Sequence, residues 1–136
     1  MHVKVPITKA GTKAASNLIS SGISVTFTAC YEAPQVLIAA ALGATYIAPY
    51  MGRINDLGKN GHNEIVNMRK ILNGIGSNCK LLVASLRTKD ELVKLASSGI
   101  STFTINPNLA SNLFNVKATI ESAKKFEEDS SIDLDS

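Results

Sequence analysis

A repeated pattern of helix end, glycine and β-rich run constrains the fold of this chain more than any other feature. Residues 20–28 read Ser-Ser-Gly-Ile-Ser-Val-Thr-Phe-Thr, and residues 97–104 read Ser-Ser-Gly-Ile-Ser-Thr-Phe-Thr. Residues 42–47, Leu-Gly-Ala-Thr-Tyr-Ile, form a looser third copy. A glycine directly after a helical run is typical of a helix C-terminus, and β-branched and aromatic runs are typical of strands. Each copy therefore predicts the end of a helix followed by the start of a strand.

The rest of the chain fits the same alternation, with Thr8 and Thr88 as predicted N-caps of helices. Residues 49–60 are predicted to be a polar, functional loop. Strands are predicted at residues 2–6, 23–29, 45–48, 80–84 and 101–105, and helices at residues 9–21, 33–42, 61–73, 88–97, 107–113 and 116–128. Alternating elements with short links indicate a parallel sheet with right-handed crossovers. About five βα units are too few for a closed (β/α)₈ barrel, so an open doubly wound sheet and part of a barrel are both candidates.

Composition narrows the class of protein. A chain of 136 residues with 45% hydrophobic residues predicts one globular domain, which we place at residues 1–129, followed by an acidic, flexible tail at residues 130–136. No apolar run is long enough to span a bilayer and no signal peptide is expected, so we predict a cytoplasmic protein without membrane contact. The net charge of +3 is scattered and Trp is absent, which favours anionic small molecules over nucleic acid.

The cysteines and histidines do not form a pattern typical of metal sites. Cys30 and Cys79 are far apart in the sequence and have no CxxC spacing, so they are predicted to be buried free thiols in a reducing cytoplasm. His2 and His62 likewise have no metal-ligand residues near them in sequence. A zinc site is not expected.

Lys4 lies between two valines in the first predicted strand. On a strand, Val3 and Val5 face one way and Lys4 faces the other. In an enclosed α/β interior, desolvation lowers the pKa of a lysine and makes it an amine nucleophile. Lys4 could instead be an exposed lysine that protects an edge strand from aggregation, and without further evidence this second interpretation is favoured.

Further polar residues lie at the predicted carboxyl ends of successive strands, where parallel α/β sheets have their active sites. With Lys4, this set comprises Thr28, Tyr50, Arg53, Ser85 and Arg87. Two arginines and a hydroxyl suit a phosphate dianion, which guanidinium groups can bind in bidentate fashion. Each residue also has an ordinary interpretation as a strand-end hydroxyl, a rim aromatic or a solvated loop charge. All six residues fall at the ends of successive predicted strands, which argues against a chance arrangement.

Four segments carry a resemblance to a known family. They are Val3-Lys4-Val5-Pro6, Thr28-Ala29 before Tyr31, Ala48-Pro49-Tyr50 leading to Arg53, and Ala84-Ser85-Leu86-Arg87. In this order and spacing, over nearly the whole chain, the sequence resembles the fructose-6-phosphate aldolase and small transaldolase family. The resemblance implies a (β/α)₈ barrel and class I, Schiff-base chemistry with no metal or other cofactor. It implies that Lys4 forms an imine with a ketose phosphate or dihydroxyacetone, that Thr28 and Tyr50 hold the catalytic water, and that Arg53, Ser85 and Arg87 bind the substrate phosphate.

The resemblance also implies how much of the barrel this sequence represents. The lysine strand is the fourth strand of that barrel, so the chain corresponds to strands four to eight, a partial (β/α)₈ barrel with a C-terminal helix. The family's acid/base aspartate on the first strand has no counterpart in this sequence. Tyr50 resembles the aldolase branch, whereas Arg87 resembles transaldolases. The expected function is therefore a transaldolase or aldolase, a transferase or a lyase, in pentose phosphate and sugar-phosphate metabolism.

A partial barrel should have unpaired strand edges and an exposed apolar inner face. We therefore expect a homo-oligomer or a complementing chain, and the resemblance implies that the helix at residues 116–128 docks on a neighbour, as in the rings that family members form. Two alternatives are kept open. The first is a non-catalytic truncated homologue that binds sugar phosphates or complements a half-barrel, and the second is an open α/β domain of a complex with no small-molecule role.

Overall fold

The computed structural model describes residues 1–135, which contain four strands and seven helices. The strands are β1 (His2–Pro6), β2 (Ser24–Cys30), β3 (Tyr46–Pro49) and β4 (Lys80–Leu81). The helices are α1 (Lys9–Ser20), α2 (Gln35–Leu42), α3 (Met51–Asp56), α4 (Gly61–Gly74), α5 (Lys89–Ser97), α6 (Pro107–Phe114) and α7 (Lys117–Asp135). The chain forms two compact units, of which the first is Met1–Ile105 and the second begins at Asn106.

The order of the strands decides between the two predicted sheet types. All described pairings are parallel, and the strands lie side by side in the order β1-β2-β3-β4. A parallel bridge between Val83 and Phe103 marks the position of a fifth strand. A doubly wound sheet contains a point at which the strand order reverses, whereas in a barrel wall each new strand is added beside the last one. The prediction of a partial (β/α)₈ barrel is therefore confirmed.

The core lies on one face of the sheet, between the strands and the helices. The register places Val5 opposite Phe27, Phe27 opposite Ile47, and Ile47 opposite Leu81, so that these side chains form one row across all four strands. All four are buried. Helices α1, α2 and α4 contact the strands. Burial of this row of apolar side chains contributes to the stability of this layer.

The opposite face of the sheet is polar, which corrects the expectation of an apolar inner face. The same register aligns Lys4, Thr26, Tyr46 and Lys80. Thr26 is the buried member of this row, and its hydroxyl is hydrogen-bonded to Nε2 of His2. Because side chains alternate along a strand, a sheet with apolar residues toward the helices presents the intervening polar residues on its other face.

Local signals placed the helix ends correctly. The hydroxyl of Thr8 accepts a hydrogen bond from the Gly11 amide at 2.9 Å, and that of Thr88 accepts one from the Glu91 amide at 3.1 Å. Both predicted N-caps are confirmed. The glycines of the three sequence repeats all have positive φ, at 80° for Gly22, 77° for Gly43 and 91° for Gly99. They therefore end their helices in the left-handed conformation that glycine adopts without steric cost.

The prediction of a loop over residues 49–60 is wrong in its first half, because Met51–Asp56 forms helix α3. Met51 and Ile54 are buried, and the Met51 amide donates a hydrogen bond to the Ala84 carbonyl at 3.0 Å. This helix is stabilised by long-range packing rather than by its own sequence pattern.

Two predicted strands are shorter than expected. Strand β4 covers Lys80–Leu81 instead of residues 80–84, and the strand predicted at residues 101–105 is reduced to the bridge at Phe103. Helix α2 also begins at Gln35, two residues later than predicted. The remaining predicted helices begin within a few residues of their expected positions, and α1, α4, α5 and α6 also end within a few residues of theirs.

The second unit contains α6 and α7. Helix α7 extends to Asp135, beyond the predicted end at residue 128, so the backbone of residues 130–135 is helical where we expected a tail. Ser136 lies outside the described residues. The domain boundary at residue 129 and the flexibility of residues 130–136 stay predictions. Within residues 1–135, none of the helices combines the length and apolar character needed to cross a bilayer.

We predict that the two thiols are protected from reagents by the fold. Cys30 and Cys79 are free and buried, as expected from sequence. Burial raises the pKa of the Cys30 thiol to about 12 and that of the Cys79 thiol to about 11, because desolvation disfavours the thiolate. At pH 8, Ellman's reagent should leave both thiols of the native protein unmodified and should titrate both after unfolding in guanidinium chloride. Rapid labelling of the native protein would contradict the described packing.

Candidate active site

Three of the predicted site residues lie on the polar face of the sheet. Lys4 pairs with Thr26, and Pro6 pairs with Thr28. Since side chains alternate along each strand, Lys4 and Thr28 project from the same face of neighbouring strands. Tyr50 directly follows β3 and forms a parallel bridge with Ala84, close to the carboxyl end of the next strand. The structure thus brings the predicted nucleophile and the two predicted water-binding residues to one side of the sheet.

Lys4 is exposed, whereas Thr28 and Tyr50 are half-buried. This exposure agrees with the second interpretation of Lys4, an exposed lysine on an edge strand, because β1 lies at the edge of the described sheet. In a closed barrel, opposing strands would cover the polar face, but the described sheet has four strands and leaves that face open. Among the described residues, Lys4 is therefore open to solvent.

A hollow of about 280 Å³ lies at the carboxyl ends of β3 and β4. It is lined by Tyr50, Arg53, Ala84 and Ser85. The guanidinium carbon of Arg53 lies 5.2 Å from the centre of the Tyr50 ring, a cation–π contact. The Tyr50 ring also contacts the Tyr31 ring edge to face, with the ring centres 5.8 Å apart. The aromatic pair therefore orients a cation at the rim of the hollow, next to a serine hydroxyl.

Backbone strain marks the same edge of the sheet. Ala29 and Ser85 have φ values of 57° and 59°, in the left-handed region that residues with a side chain rarely adopt. Ala29 lies at an irregularity in the pairing of β2 with β3, and Ser85 follows β4. The Gly52 amide donates to the Ser85 carbonyl at 2.9 Å and holds this conformation. Such strain costs about 1–3 kcal/mol per residue and is concentrated at functional sites.

Arg87 is not among the residues that line this hollow, although sequence reasoning grouped it with Arg53 and Ser85. Its two terminal nitrogens, Nη1 and Nη2, each donate a hydrogen bond of 2.8 Å to one carboxylate oxygen of Asp56. This hydrogen bonding holds the pKa of Asp56 below its ordinary value, because it stabilises the ionised carboxylate. The stabilisation by the pair is therefore present above the ordinary pKa of an aspartate and is lost as the pH falls through the lowered value.

Sequence reasoning missed Asp56. It lies in the segment predicted as a loop, where the sequence offers no regular spacing from which to predict its partner. The tertiary structure pairs it with Arg87, 31 residues away in the chain. No signal in one sequence could have found this partner.

Comparison with known proteins identifies the family of the chain. The sequence matches the family model described as Transaldolase/Fructose-6-phosphate aldolase over residues 1–136. The chain belongs to this family. Curated relatives named "Probable transaldolase" include proteins from Bartonella henselae, 35% identical over 93% of this chain, Phenylobacterium zucineum, 36% identical over 91%, and Methanococcus vannielii, 35% identical over 91%. This chain spans 57–58% of the length of these three relatives.

Solved structures support the fold alone. A flavocytochrome b2 mutant with bound pyruvate superposes with a TM-score of 0.55 at 15% identity, over 68% of this chain and 25% of that chain. A second flavocytochrome b2 mutant, with benzoylformate, gives a TM-score of 0.58 at 14% identity, over 71% of this chain and 26% of that chain. Identities this low carry no information about activity.

Two further observations bear on the chemistry of this family member. A larger groove, of about 580 Å³, lies at the amino ends of the strands. Cys79 is the one ionisable residue that lines it. The other lining residues come from α2 and from the segments that follow α2 and α4. The active sites of barrels lie at the opposite, carboxyl ends, so the smaller hollow is the better candidate. Among residues 1–131, no three side chains of His, Cys, Asp or Glu are grouped closely enough to hold a metal ion.

Gly52 offers a test of how α3 packs against the site. A Cβ atom at this position would lie 2.7 Å from the Ser85 carbonyl oxygen and 2.6 Å from Nε of Arg87. We expect Gly52→Ala to lower the free energy of unfolding by about 1–3 kcal/mol, as overpacking does. Gly74→Ala is the matched control, since a Cβ at that helical position meets no atom within 4 Å. Urea denaturation should show loss of stability for the first variant and no loss for the second; equal stabilities would contradict the described contact.

Proposed function

We propose that this chain carries the Schiff-base and phosphate-binding residues of a transaldolase-type or fructose-6-phosphate aldolase-type enzyme that acts on sugar phosphates. The observation that carries the proposal is the hollow in which Tyr50, Arg53 and Ser85 meet, beside the sheet face that bears Lys4 and Thr28. Family membership and relatives named as probable transaldolases support it. We assign the pathway as sugar-phosphate metabolism, including the pentose phosphate pathway, and the location as the cytoplasm.

Lys4 acts as the nucleophile in this proposal. Its neutral amine attacks the carbonyl carbon of the ketose, and loss of water from the carbinolamine gives an imine. Once protonated, the imine accepts the electron pair of the bond between its α and β carbons as that bond breaks, which releases the β carbon as an aldehyde and leaves an enamine on Lys4. A transaldolase passes this enamine to an acceptor aldehyde, whereas an aldolase protonates and hydrolyses it.

Proton transfer falls to a water held by Thr28 and Tyr50. Both side chains carry a hydroxyl that donates and accepts hydrogen bonds, and both lie on the face that bears Lys4. Such a water would take the proton from the substrate hydroxyl as the aldehyde forms and would return a proton in the second half of the reaction. The T-shaped contact with Tyr31 supports a fixed orientation of the Tyr50 ring.

Arg53 and Ser85 bind the substrate phosphate. Arg53 and Ser85 line the same hollow. A guanidinium and a hydroxyl are both donors of hydrogen bonds to phosphate oxygens. Arg87 belongs to the phosphate site in the sequence-based proposal, and its contact with Asp56 means that it must change partner to take this role.

A second candidate function is sugar-phosphate binding without catalysis, and the exposure of Lys4 favours it. Enclosure of Lys4 by a second copy or a complementing chain would restore catalysis. Helix α7 supports self-association, because the apolar side chains of Ile120 and Phe126 are 55% and 68% exposed on it.

Reductive trapping tests the catalytic proposal. We expect borohydride treatment in the presence of fructose 6-phosphate or dihydroxyacetone to fix a covalent adduct on Lys4, detected by peptide mass mapping. Lys4→Ala should abolish the adduct. Lys13→Ala, which removes an exposed lysine from α1, is the matched control and should leave it unchanged. An adduct spread over several lysines, or none on Lys4, would refute the catalytic assignment.

Ligand-induced stabilisation separates binding from catalysis. A ligand at 100 times its Kd raises the free energy of unfolding by about 2.7 kcal/mol. We expect this rise with fructose 6-phosphate for the wild type and for Lys4→Ala, and its loss in Arg53→Ala. If Arg53→Ala keeps the full stabilisation, then Arg53 is not part of the phosphate site.

A further inference from the structure

The terminal edge of the Arg87 guanidinium is fully used by Asp56. Nη1 bonds to Oδ1 and Nη2 bonds to Oδ2, both at 2.8 Å, which is the parallel, bidentate geometry that arginine forms with carboxylates and phosphates alike. A carboxylate and a phosphate cannot occupy this edge together. The Asp56 carboxylate therefore occupies the position that a substrate phosphate would take if Arg87 bound it through its terminal edge.

The second bidentate edge of Arg87, which includes Nε, lies against the backbone of α3. A Cβ atom on Gly52 would be 2.6 Å from Nε and 2.8 Å from the guanidinium carbon. The guanidinium is therefore packed against the bare Cα of Gly52. With one edge against α3 and the other on Asp56, Arg87 can give bidentate hydrogen bonds to a phosphate only after Asp56 has left.

We propose that Asp56 is a specificity-determining residue of the phosphate site: its carboxylate competes with the substrate phosphate for the terminal edge of Arg87. This inference rests on the proposed function. As long as Asp56 is bound to Arg87, Arg53 and Ser85 are the residues of the hollow that are available to bind a phosphate. Asp56 therefore weakens phosphate binding and lowers the preference of the site for phosphorylated over unphosphorylated substrates.

The exchange of partners is feasible because the pair is exposed. The side chains of Arg87 and Asp56 are 52% and 57% exposed, and ion pairs of this kind are weak in water. The two residues lie on different segments, the end of α3 and the loop after β4, so separating them does not require a helix to unfold. A phosphate dianion carries more charge than a carboxylate and can replace it at the guanidinium.

Binding of inorganic phosphate to the full chain tests this proposal by isothermal titration calorimetry. We expect Asp56→Asn to lower the Kd for phosphate about two- to fivefold, the range set by the strength of exposed ion pairs. Asp129→Asn, which removes the same charge from α7, is the matched control and should leave the Kd unchanged. Asp56→Ser serves as a second variant, and thermal unfolding without phosphate shows which variants are folded.

A double-mutant cycle shows whether Asp56 acts through Arg87. In an Arg87→Ala background, Asp56→Asn should no longer change the Kd, because the guanidinium for which the carboxylate and the phosphate compete is absent. If Asp56→Asn and Asp56→Ser fold and leave the Kd unchanged or raise it, then Asp56 does not compete with phosphate but only holds Arg87 in position, and the proposal is wrong. Equal tightening in the Arg87→Ala background also refutes it, since that result shows a general charge effect.

The failure of this inference is distinguishable from failure of the proposed function. Dihydroxyacetone carries no phosphate, so its borohydride adduct on Lys4 reports the Schiff-base chemistry alone. An adduct on Lys4 in the wild type and in the Asp56 variants, combined with no effect of Asp56 on phosphate binding, would leave the function standing and remove the role of Asp56. Absence of phosphate binding by the wild type and by Asp56→Asn alike would refute the inference directly.

Discussion

The parallel register of the four strands is the constraint on which the rest of the structure depends. It aligns Val5, Phe27, Ile47 and Leu81 in one buried row, and the helices pack on that row. Because side chains alternate, the same register aligns the residues of the other face, including Lys4. A shift of one residue in any strand would exchange core and polar side chains, so the apolar row fixes the position of the functional one.

The candidate site is formed where the strands end, and it depends on how α3 is attached to the loop after β4. Two backbone hydrogen bonds, from the amides of Met51 and Gly52, join the first turn of α3 to Ala84 and Ser85. At the other end of this short helix, Asp56 holds Arg87. The attachment keeps Ser85 in a strained conformation next to Arg53, and it also determines which cation is available to an anionic ligand.

Much of the fold followed from local patterns. Thr8 and Thr88 were identifiable as N-caps because a cap is a contact over three residues. The three glycine-containing repeats predicted three helix ends and two strand starts correctly, whereas the third predicted strand is reduced to the bridge at Phe103. Helix α3 was missed because its stability comes from the burial of Ile54 and from bonds to residues more than 30 positions away. The six candidate residues were chosen from sequence, and the structure groups Tyr50, Arg53 and Ser85 in one hollow and places Arg87 with Asp56.

The sequence by itself determined the alternation of strands and helices, the polar residues at the strand ends and the family, because these depend on residue types at short spacings. The tertiary structure alone decided the strand order, the exposure of Lys4 and the partner of Arg87. Right-handed crossovers allow a new strand on either side of the growing sheet, so the order of strands is not encoded in any local segment. Exposure and ion pairing depend on which distant residues approach a side chain, and only the folded chain brings those residues together.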